Sequence, residues 1–307
     1  MGTTSYSCDT RSMRAVAMDY STKSVAQIFT QSSKRMAHES MLSKNVKIRE
    51  ARDSANHPNT VPICLFLDVT GSMGDIPHQF IKEGLPTLMG TLTQNGIPDA
   101  ALLFAGIGDH EYDKYPVQVG QFESGDEELD MWLTRIYLEG GGGSNRGESY
   151  PLAWQFASDY TVTDSWEKRK KKGYVFTIGD ERPLPKYPKT ANKEIYSESA
   201  KQESPHEDVQ SLLEKAEERY NVYHLHYCHG HSSEEQMTDW KQILGDRCIK
   251  VTDYKEIPKI MAKIIMDNEA KYNNSSRILN ESNSTKDVIA SSVDVPVKVK
   301  KPKKISL

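Results

Sequence analysis

The stretch from Leu65 to Met73, LFLDVTGSM, constrains the fold more than any other part of the chain. An apolar run stops at Asp68, and Thr70 and Ser72 follow two and four residues later. This pattern predicts a buried strand that ends at a carboxylate and turns into a helix. Such a turn brings hard oxygen donors to one place, and hard oxygens are the ligands that Mg²⁺, Mn²⁺ and Ca²⁺ prefer. The sequence therefore predicts a metal-binding turn at a strand end.

Apolar runs alternate with amphipathic segments along most of the chain. Predicted strands cover residues 63–67, 100–107, 117–122, 174–178, 222–227 and 248–252, and predicted helices cover residues 74–92, 127–138, 209–220, 234–244 and 257–265. We also expect Pro86 to kink the helix that contains it. Strands that alternate with helices are typical of a parallel sheet covered on both faces. The predicted fold class is α/β, with a doubly wound, mostly parallel sheet of about six strands.

Composition divides the 307 residues into three predicted parts. Residues 1–60 form a polar extension, with a helical pattern over residues 22–55, and residues 61–273 form the sheet domain. Residues 274–307 form a polar, basic tail of the kind that stays disordered. The net charge of −4 is mild, so it indicates neither a nucleic-acid nor a membrane partner.

Cysteine usage and the absence of long apolar runs predict a cytoplasmic protein without a membrane segment. The four cysteines are scattered, which favours free thiols in a reducing compartment. No stretch reaches the roughly 18 apolar residues of a membrane helix. The first residues lack the apolar core of a signal peptide.

Further polar residues follow the other predicted strands. Asp180 comes directly after YVFTIG, the loop 140–149 reads GGGGSNRGES, and Asp109 and His110 follow the strand that ends at Ile107. Ligands of open α/β sheets bind outside the carboxyl ends of the strands. We expect Asp180 and the glycine-rich loop to meet the Asp68 turn there, whereas we interpret Asp109 and His110 as a solvated pair at a strand end.

Together these motifs resemble the von Willebrand factor type A (VWA) family and its metal-ion-dependent adhesion site. The form DxTGSMG at 68–74, the pair at 109–110 and a glycine run ending in Glu148 resemble the branch found in alpha-kinase-like, hemicentin-like and many bacterial or phage proteins. The resemblance spans about residues 60–273. It implies a Rossmann-like VWA fold and an ion bound directly by Thr70 and Ser72, by Asp68 either directly or through water, and by Asp180 usually through water.

The middle ligand of the family motif has two candidates. Counting back from Glu148 favours Asn145, whereas the alignment of the preceding glycines favours Ser144. Where the family has Thr or Asp, either candidate would be uncharged, which leaves the site less negative and weakens its affinity for a cation.

The resemblance implies a non-enzymatic adaptor that docks an Asp or Glu side chain of a protein partner on the metal. Intracellular relatives act in multiprotein assemblies, including assemblies with MoxR-type AAA+ ATPases. The sequence contains no P-loop, GxSxG or HExxH motif.

Two other interpretations rest on residues outside this pattern. The run HLHYCHGH, residues 224–231, could bind Zn²⁺ and serve a hydrolase. Strand alternation, however, favours packed, hydrogen-bonded imidazoles on one face of the strand. It places His229 and His231 in the following loop, at the rim of the ligand face. The second interpretation is a scaffold protein with a purely structural metal site. The basic runs 167–173 and 298–304 are interpreted as a solvated helix end and as a tail that could contact nucleic acid or merely aid solubility.

Overall fold

A six-stranded sheet forms the centre of the computed structural model, which describes residues 4–141, 147–185, 195–196, 208–229 and 231–292. The strands are β1 (Arg49–Ala51), β2 (Val61–Asp68), β3 (Ala100–Ile107), β4 (Val117–Val119), β5 (Gly147–Glu148), β6 (Thr161–Thr163), β7 (Gly173–Gly179), β8 (Arg182–Pro183), β9 (Tyr220–Tyr227) and β10 (Cys248–Val251). The sheet has the order β10-β9-β7-β2-β3-β4, with β4 antiparallel to β3 and the other pairs parallel.

Some helices cover the two faces of this sheet, and the described part of the chain holds eleven α-helices in all. They are α1 (Cys8–Ala17), α2 (Val25–Ile28), α3 (Thr30–Lys34), α4 (Ile76–Gln79), α5 (Leu85–Gln94), α6 (Asp126–Thr134), α7 (Pro151–Asp159), α8 (Asp164–Arg169), α9 (Val209–Glu217), α10 (His231–Leu244) and α11 (Ile257–Ser292). A π-helical turn, Phe80–Gly84, lies between α4 and α5.

The two faces of the sheet follow the alternation along each strand. Cys64 and Phe66 of β2 are buried in one cluster with residues of α7, α9 and α10. On the other face, Phe104 of β3 packs edge-on against Phe80, with ring centroids 6.0 Å apart. The predicted α/β fold class, with its doubly wound and mostly parallel sheet, is confirmed.

The strand order reverses between β2 and β7. From β2 the chain builds outwards through β3 to β4, then returns to the other side of β2 and builds through β7 and β9 to β10. Ligands of doubly wound sheets bind at such a switch point, outside the carboxyl ends. Here those ends carry Asp68 on β2 and Asp180 directly after β7.

The predicted helix over residues 22–55 is wrong. The segment holds two short helices, α2 and α3, then two 3₁₀ turns, Glu39–Met41 and Ser43–Asn45, and finally strand β1. β1 pairs in parallel with β6, more than a hundred residues further along the chain. A pairing of such long range leaves no local signal in the sequence.

The helix predicted around Pro86 is interrupted before that residue by a π-helical turn, and the kink at Pro86 itself stays a prediction. Proline lacks an N–H, and its ring collides with the carbonyl of the residue four positions before it. In the structure the π-helical turn Phe80–Gly84 directly precedes α5, which has Pro86 in its first turn. In this turn the Leu85 N–H donates to the Phe80 carbonyl five residues earlier, and the Ile81 carbonyl, to which Pro86 can offer no N–H, accepts a hydrogen bond from Arg11.

The last helix is longer than expected. The chain divides into two compact units, Met1–Ile264 and Ile265–Leu307, and α11 runs through residue 292. Residues 274–292, which we assigned to a disordered tail, are therefore helical, and residues 293–307, with the basic run 298–304, lie outside the described residues. The three-part domain division stays a prediction. Of the helices described, none has both the length and the apolar character that a membrane crossing requires.

Candidate metal centre

The turn after β2 is organised around the Asp68 carboxylate, which is fully buried. Its Oδ1 atom accepts hydrogen bonds from the Thr70 backbone N–H at 2.9 Å and from the Thr70 hydroxyl at 2.6 Å. Aspartate favours this local arrangement, in which the side chain binds the backbone two residues ahead. The turn thus holds the carboxylate and the first hydroxyl side by side.

Ser72 connects this turn to the neighbouring strand end. The Ser72 hydroxyl lies 3.4 Å from the Thr70 hydroxyl and donates a hydrogen bond of 2.9 Å to Asp180 Oδ1. The oxygens of Asp68, Thr70, Ser72 and Asp180 therefore form one continuous chain across the switch point. The structure brings these four predicted site residues together.

The glycine-rich loop reaches the same place. The Gly71 N–H donates a 2.7 Å hydrogen bond to the carbonyl oxygen of Gly141. A Cβ atom added to Gly71 would lie 2.8 Å from the Gly140 carbonyl oxygen, so only glycine permits this approach. Ser144 and Asn145 lie outside the described residues, and the choice between them as middle ligand stays open.

We expect the Gly71→Ala variant to fold but to bind divalent metal more weakly. The new methyl group must push the 140–141 backbone away from the Asp68 turn, and backbone cannot rotate aside as a flexible side chain can. We expect the affinity for the metal to fall roughly tenfold, as it does when residues that orient metal ligands are disturbed. Calorimetric titration with Mn²⁺ measures it. The matched control is Gly90→Ala in α5, where a Cβ would make only an ordinary 3.4 Å contact with the Cys8 sulfur. Equal affinities for both variants would contradict the expectation.

The two carboxylates of the centre need a positive partner. Asp180 is only 3% exposed, and in the described part of the chain neither it nor Asp68 forms an ion pair with lysine or arginine. Burial, and then the nearby Asp180 charge, raise the pKa of Asp68 to about 7. Two buried like charges repel each other, and a divalent cation would relieve that repulsion. The donors present, carboxylates and hydroxyls, fit a hard ion.

Tyr150 also binds the Asp68 carboxylate, a contact that no motif in the sequence indicates. Its hydroxyl donates a 2.5 Å hydrogen bond to Asp68 Oδ2. The ring is fully buried, edge-on to His224 at 5.2 Å and to Trp240 at 5.3 Å. A Cβ on Gly179 would lie 1.9 Å from the Tyr150 hydroxyl, so the glycine that ends β7 makes room for it. Burial raises the pKa of Tyr150 well above its usual value, which keeps the hydroxyl a donor.

His229 stands at the rim of the centre. Its Nε2 atom lies 2.6 Å from Asp180 Oδ2, the carboxylate oxygen that does not accept the hydrogen bond from Ser72. The imidazole is 42% exposed, in contrast to the buried carboxylate. His231 begins α10 rather than extending the loop.

The strand histidines are packed and hydrogen-bonded. His224 Nδ1 contacts the Thr177 hydroxyl at 2.8 Å, and His224 Nε2 contacts His226 Nδ1 at 3.2 Å. The remaining ring nitrogen of the pair, His226 Nε2, contacts the Ser233 carbonyl oxygen at 2.6 Å. The His224 ring also stacks on Trp240, with centroids 3.6 Å apart. Burial lowers the pKa of both imidazoles. All four ring nitrogens therefore have protein partners, which speaks against zinc at this pair.

The prediction of a solvated pair at residues 109–110 is wrong. Asp109 is fully buried, and its Oδ1 atom accepts a 2.8 Å hydrogen bond from the Glu111 N–H. The His110 ring contacts the Ser149 hydroxyl at 2.8 Å. The segment around β5 covers this strand end, an effect that strand periodicity does not reveal. Glu148 of β5 is also buried, and burial together with the Asp68 charge raises its pKa to about 10.

The basic run 167–173 contains a helix end, as interpreted, but it is not wholly solvated, because Lys171 is buried. α8 ends at Arg169, and Lys170 adopts the left-handed conformation that closes a helix. Lys168 pairs with Asp164 at 2.7 Å, and Arg169 pairs with Asp53 at 2.5 Å. These two charges are used within the protein and tie the N-terminal segment to α8.

Among the described residues, no group of three or more His, Cys, Asp or Glu side chains could hold a metal ion by itself. Any ion at the switch point would therefore depend on the hydroxyls of Thr70 and Ser72. That dependence distinguishes the centre from a closed structural zinc site, which is made of Cys and His ligands.

The sequence matches no protein-family model, and no curated protein matches it. Among solved structures, the pilus adhesin SpaC from Lactobacillus rhamnosus GG has a TM-score of 0.47 at 12% identity, over 72% of this chain and 31% of the adhesin. Proximal thread matrix protein 1 from the mussel byssus, described with a zinc-occupied MIDAS motif, has a TM-score of 0.44 at 13% identity, over 68% of this chain and 48% of its own. The vWF domain of the type V pili tip protein Mfa5 from Porphyromonas gingivalis has a TM-score of 0.44 at 11% identity, over 71% and 96% of the two chains. The chain thus spans less than half of the first two proteins.

Proposed function

We propose that this chain is a non-enzymatic, VWA-type module that binds a protein partner through a divalent metal ion. The observation that carries the proposal is the continuous chain of Asp68, Thr70, Ser72 and Asp180 oxygens at the switch point of the sheet. Two of these residues are buried carboxylates without lysine or arginine partners among the described residues.

The donor set also supports the mode of docking. Thr70 and Ser72 would bind the ion through neutral hydroxyls, and only Asp68 and Asp180 offer negative charge. When bound, a divalent ion supplies positive charge that neutral hydroxyls leave partly uncompensated. An Asp or Glu side chain of a partner then completes the coordination. Mg²⁺, Mn²⁺ and Ca²⁺ all accept such oxygen ligands. That the partner belongs to a multiprotein assembly, for example with a MoxR-type ATPase, is part of the proposal and rests on the family resemblance alone.

The test is affinity capture from native lysate in the presence of Mg²⁺ or of a chelator. We expect wild-type protein to retain specific partners with Mg²⁺ and to lose them with the chelator, whereas Asp68→Asn retains none in either condition. Asp246→Asn is the matched control, because Asp246 is an exposed carboxylate in the turn before β10. Its partners should match those of the wild type.

Two outcomes would redirect the proposal. Partner lists that are identical with and without metal would favour a scaffold whose metal site is only structural. Zinc that is lost on His226→Ala but kept on Asp68→Asn would favour a hydrolase based on residues 224–231, although the hydrogen bonds of His224 and His226 leave no ring nitrogen of that pair for a metal.

A further inference from the structure

His229 brings a nitrogen donor to a centre otherwise made of oxygens. It follows β9 at the carboxyl edge of the sheet, and its ring stacks on Tyr227 with centroids 5.3 Å apart. Its backbone N–H donates to the Ser233 hydroxyl at 3.2 Å, which fixes the main chain at this point. The side chain is therefore anchored at its base and partly open to solvent at the rim.

A single carboxylate joins His229 to the proposed metal ligands. Asp180 accepts from Ser72 through Oδ1 at 2.9 Å and contacts His229 Nε2 through Oδ2 at 2.6 Å. The Asp180 carboxylate thus contacts both His229 Nε2 and the Ser72 hydroxyl that would bind the ion. The ring is 42% exposed, so this nitrogen lies at the solvent edge of the centre.

The chemistry of this donor bears on which metal is bound. Carboxylates, hydroxyls and water suit Mg²⁺ and Ca²⁺, whereas imidazole suits Zn²⁺ and related transition metals. The other two imidazoles of the segment, His224 and His226, use their ring nitrogens in the network under α10. Among the histidines of this segment whose side chains the structure describes, His229 is the one whose Nε2 contacts Asp180.

We propose that His229 supplies a nitrogen ligand to the ion proposed above at Asp68, Thr70, Ser72 and Asp180, and that this ligand makes the centre prefer Zn²⁺ over Mg²⁺. The inference rests on the proposed metal-binding function and deepens it. One imidazole among oxygen donors leaves coordination positions open, as in sites that bind an outside ligand, in contrast to closed structural zinc sites.

The test is calorimetric titration of the metal-free full chain with ZnCl₂ and, separately, with MgCl₂. We expect wild-type protein to bind Zn²⁺ at least about tenfold more tightly than Mg²⁺, and His229→Ala to lose about 10- to 100-fold of its Zn²⁺ affinity. Its Mg²⁺ affinity should stay within about twofold, because oxygen donors dominate Mg²⁺ binding.

His229→Gln separates ligation from a merely structural role. Glutamine can still donate a hydrogen bond to Asp180, but its amide is a poor ligand for Zn²⁺. If His229 binds the metal, this variant behaves as His229→Ala does. Wild-type Zn²⁺ affinity in His229→Gln, or an equal loss of both metals in His229→Ala, would show that His229 only orients Asp180 and would overturn the inference.

Two further measurements keep the outcomes distinct. X-ray absorption of the zinc-loaded chain should show a nitrogen at about 2.0–2.1 Å that disappears in His229→Ala. His38→Gln is the control for adventitious zinc, since the His38 ring contacts Ser40 within the N-terminal segment and should not affect the titration. Wild-type protein that binds neither metal would refute the proposed function itself, whereas metal binding that ignores His229 would refute only this inference.

Discussion

Replacing Asp68 by asparagine is expected to abolish metal-dependent stabilisation while leaving the metal-free protein folded. Asparagine keeps the volume and an acceptor for the Thr70 hydrogen bonds, but it removes one of the two buried charges. The metal loses a carboxylate, so affinity should fall by roughly 100-fold or more. The metal-free chain loses a like-charge repulsion with Asp180, since that charge is one of the causes that raise the pKa of Asp68. Its stability should therefore be unchanged or slightly higher.

Thermal unfolding with and without Mn²⁺ measures both effects. A ligand at about 100 times its Kd stabilises the native state by about 2.7 kcal/mol, which for a chain of this size raises Tm by about 5 °C. We expect that rise in the wild type and in the control Asp246→Asn, and none in Asp68→Asn. A wild-type-sized rise in Asp68→Asn would show that the ion binds elsewhere. Unfolding of the metal-free Asp68→Asn would show that the carboxylate serves stability rather than metal binding.

The Arg11→Ala variant is expected to lose about 3–5 kcal/mol of unfolding free energy, the usual result of breaking a buried ion pair. Arg11 is 1% exposed and its Nε lies 2.8 Å from Asp130 Oδ1 in α6. Its guanidinium also donates a 2.5 Å hydrogen bond to the Ile81 carbonyl in the π-helical turn and lies over the Tyr20 ring. One side chain thus holds α1 against both α6 and the perturbed helix. Its removal leaves a buried carboxylate without its closest cation.

Chemical denaturation at two pH values tests the Arg11 prediction. Burial raises the pKa of Asp130 to about 6 even with Arg11 beside it. Without Arg11 the carboxyl should bind a proton at still higher pH, because its charged form has lost its partner. A group whose folded pKa lies above its unfolded pKa lowers stability as pH rises between the two values. The loss of unfolding free energy in Arg11→Ala, relative to the wild type, should therefore be larger at pH 8 than at pH 5.

Arg14→Ala is the matched control for this experiment. Arg14 lies one turn further along the same helix and pairs with Asp126 at 2.5 Å. It also lies 3.7 Å from Asp130 Oδ2, but it is 23% exposed, and its removal leaves Arg11 in place beside Asp130 at 2.8 Å. Ion pairs that contact solvent contribute about 0–1 kcal/mol. If the two variants lose equal amounts of stability, Arg11 is not the anchor of the N-terminal segment.

The core of the candidate centre could be predicted because its parts are local. Asp68, Thr70 and Ser72 lie within five residues of one another, and Asp180 directly follows a buried strand. Hydrophobic periodicity identifies strands, and parallel strands place their carboxyl ends at one edge. The family resemblance rests on the same local motifs. None of these features depends on which side chains meet across the sheet.

The surroundings of the centre could not be predicted in this way. Tyr150 is 82 residues from the Asp68 that it binds, and His229 is 49 residues from Asp180. The sequence placed His229 near the ligand face but gave it no partner, and it gave Tyr150 no role. Asp109 and His110 looked solvated because the strand pattern ends before them, whereas the segment around β5 buries them.

The sequence by itself determined the six strands of the central sheet, the fold class and the four residues that line the switch point, because periodicity and turn chemistry act within a few residues. Only the tertiary structure decided that β1 joins β6, that Arg11 binds Asp130, and that Tyr150 and His229 enclose the two carboxylates. The reason is physical. A buried polar group must find a partner, but which partner it finds depends on how distant segments pack, and no local pattern records that.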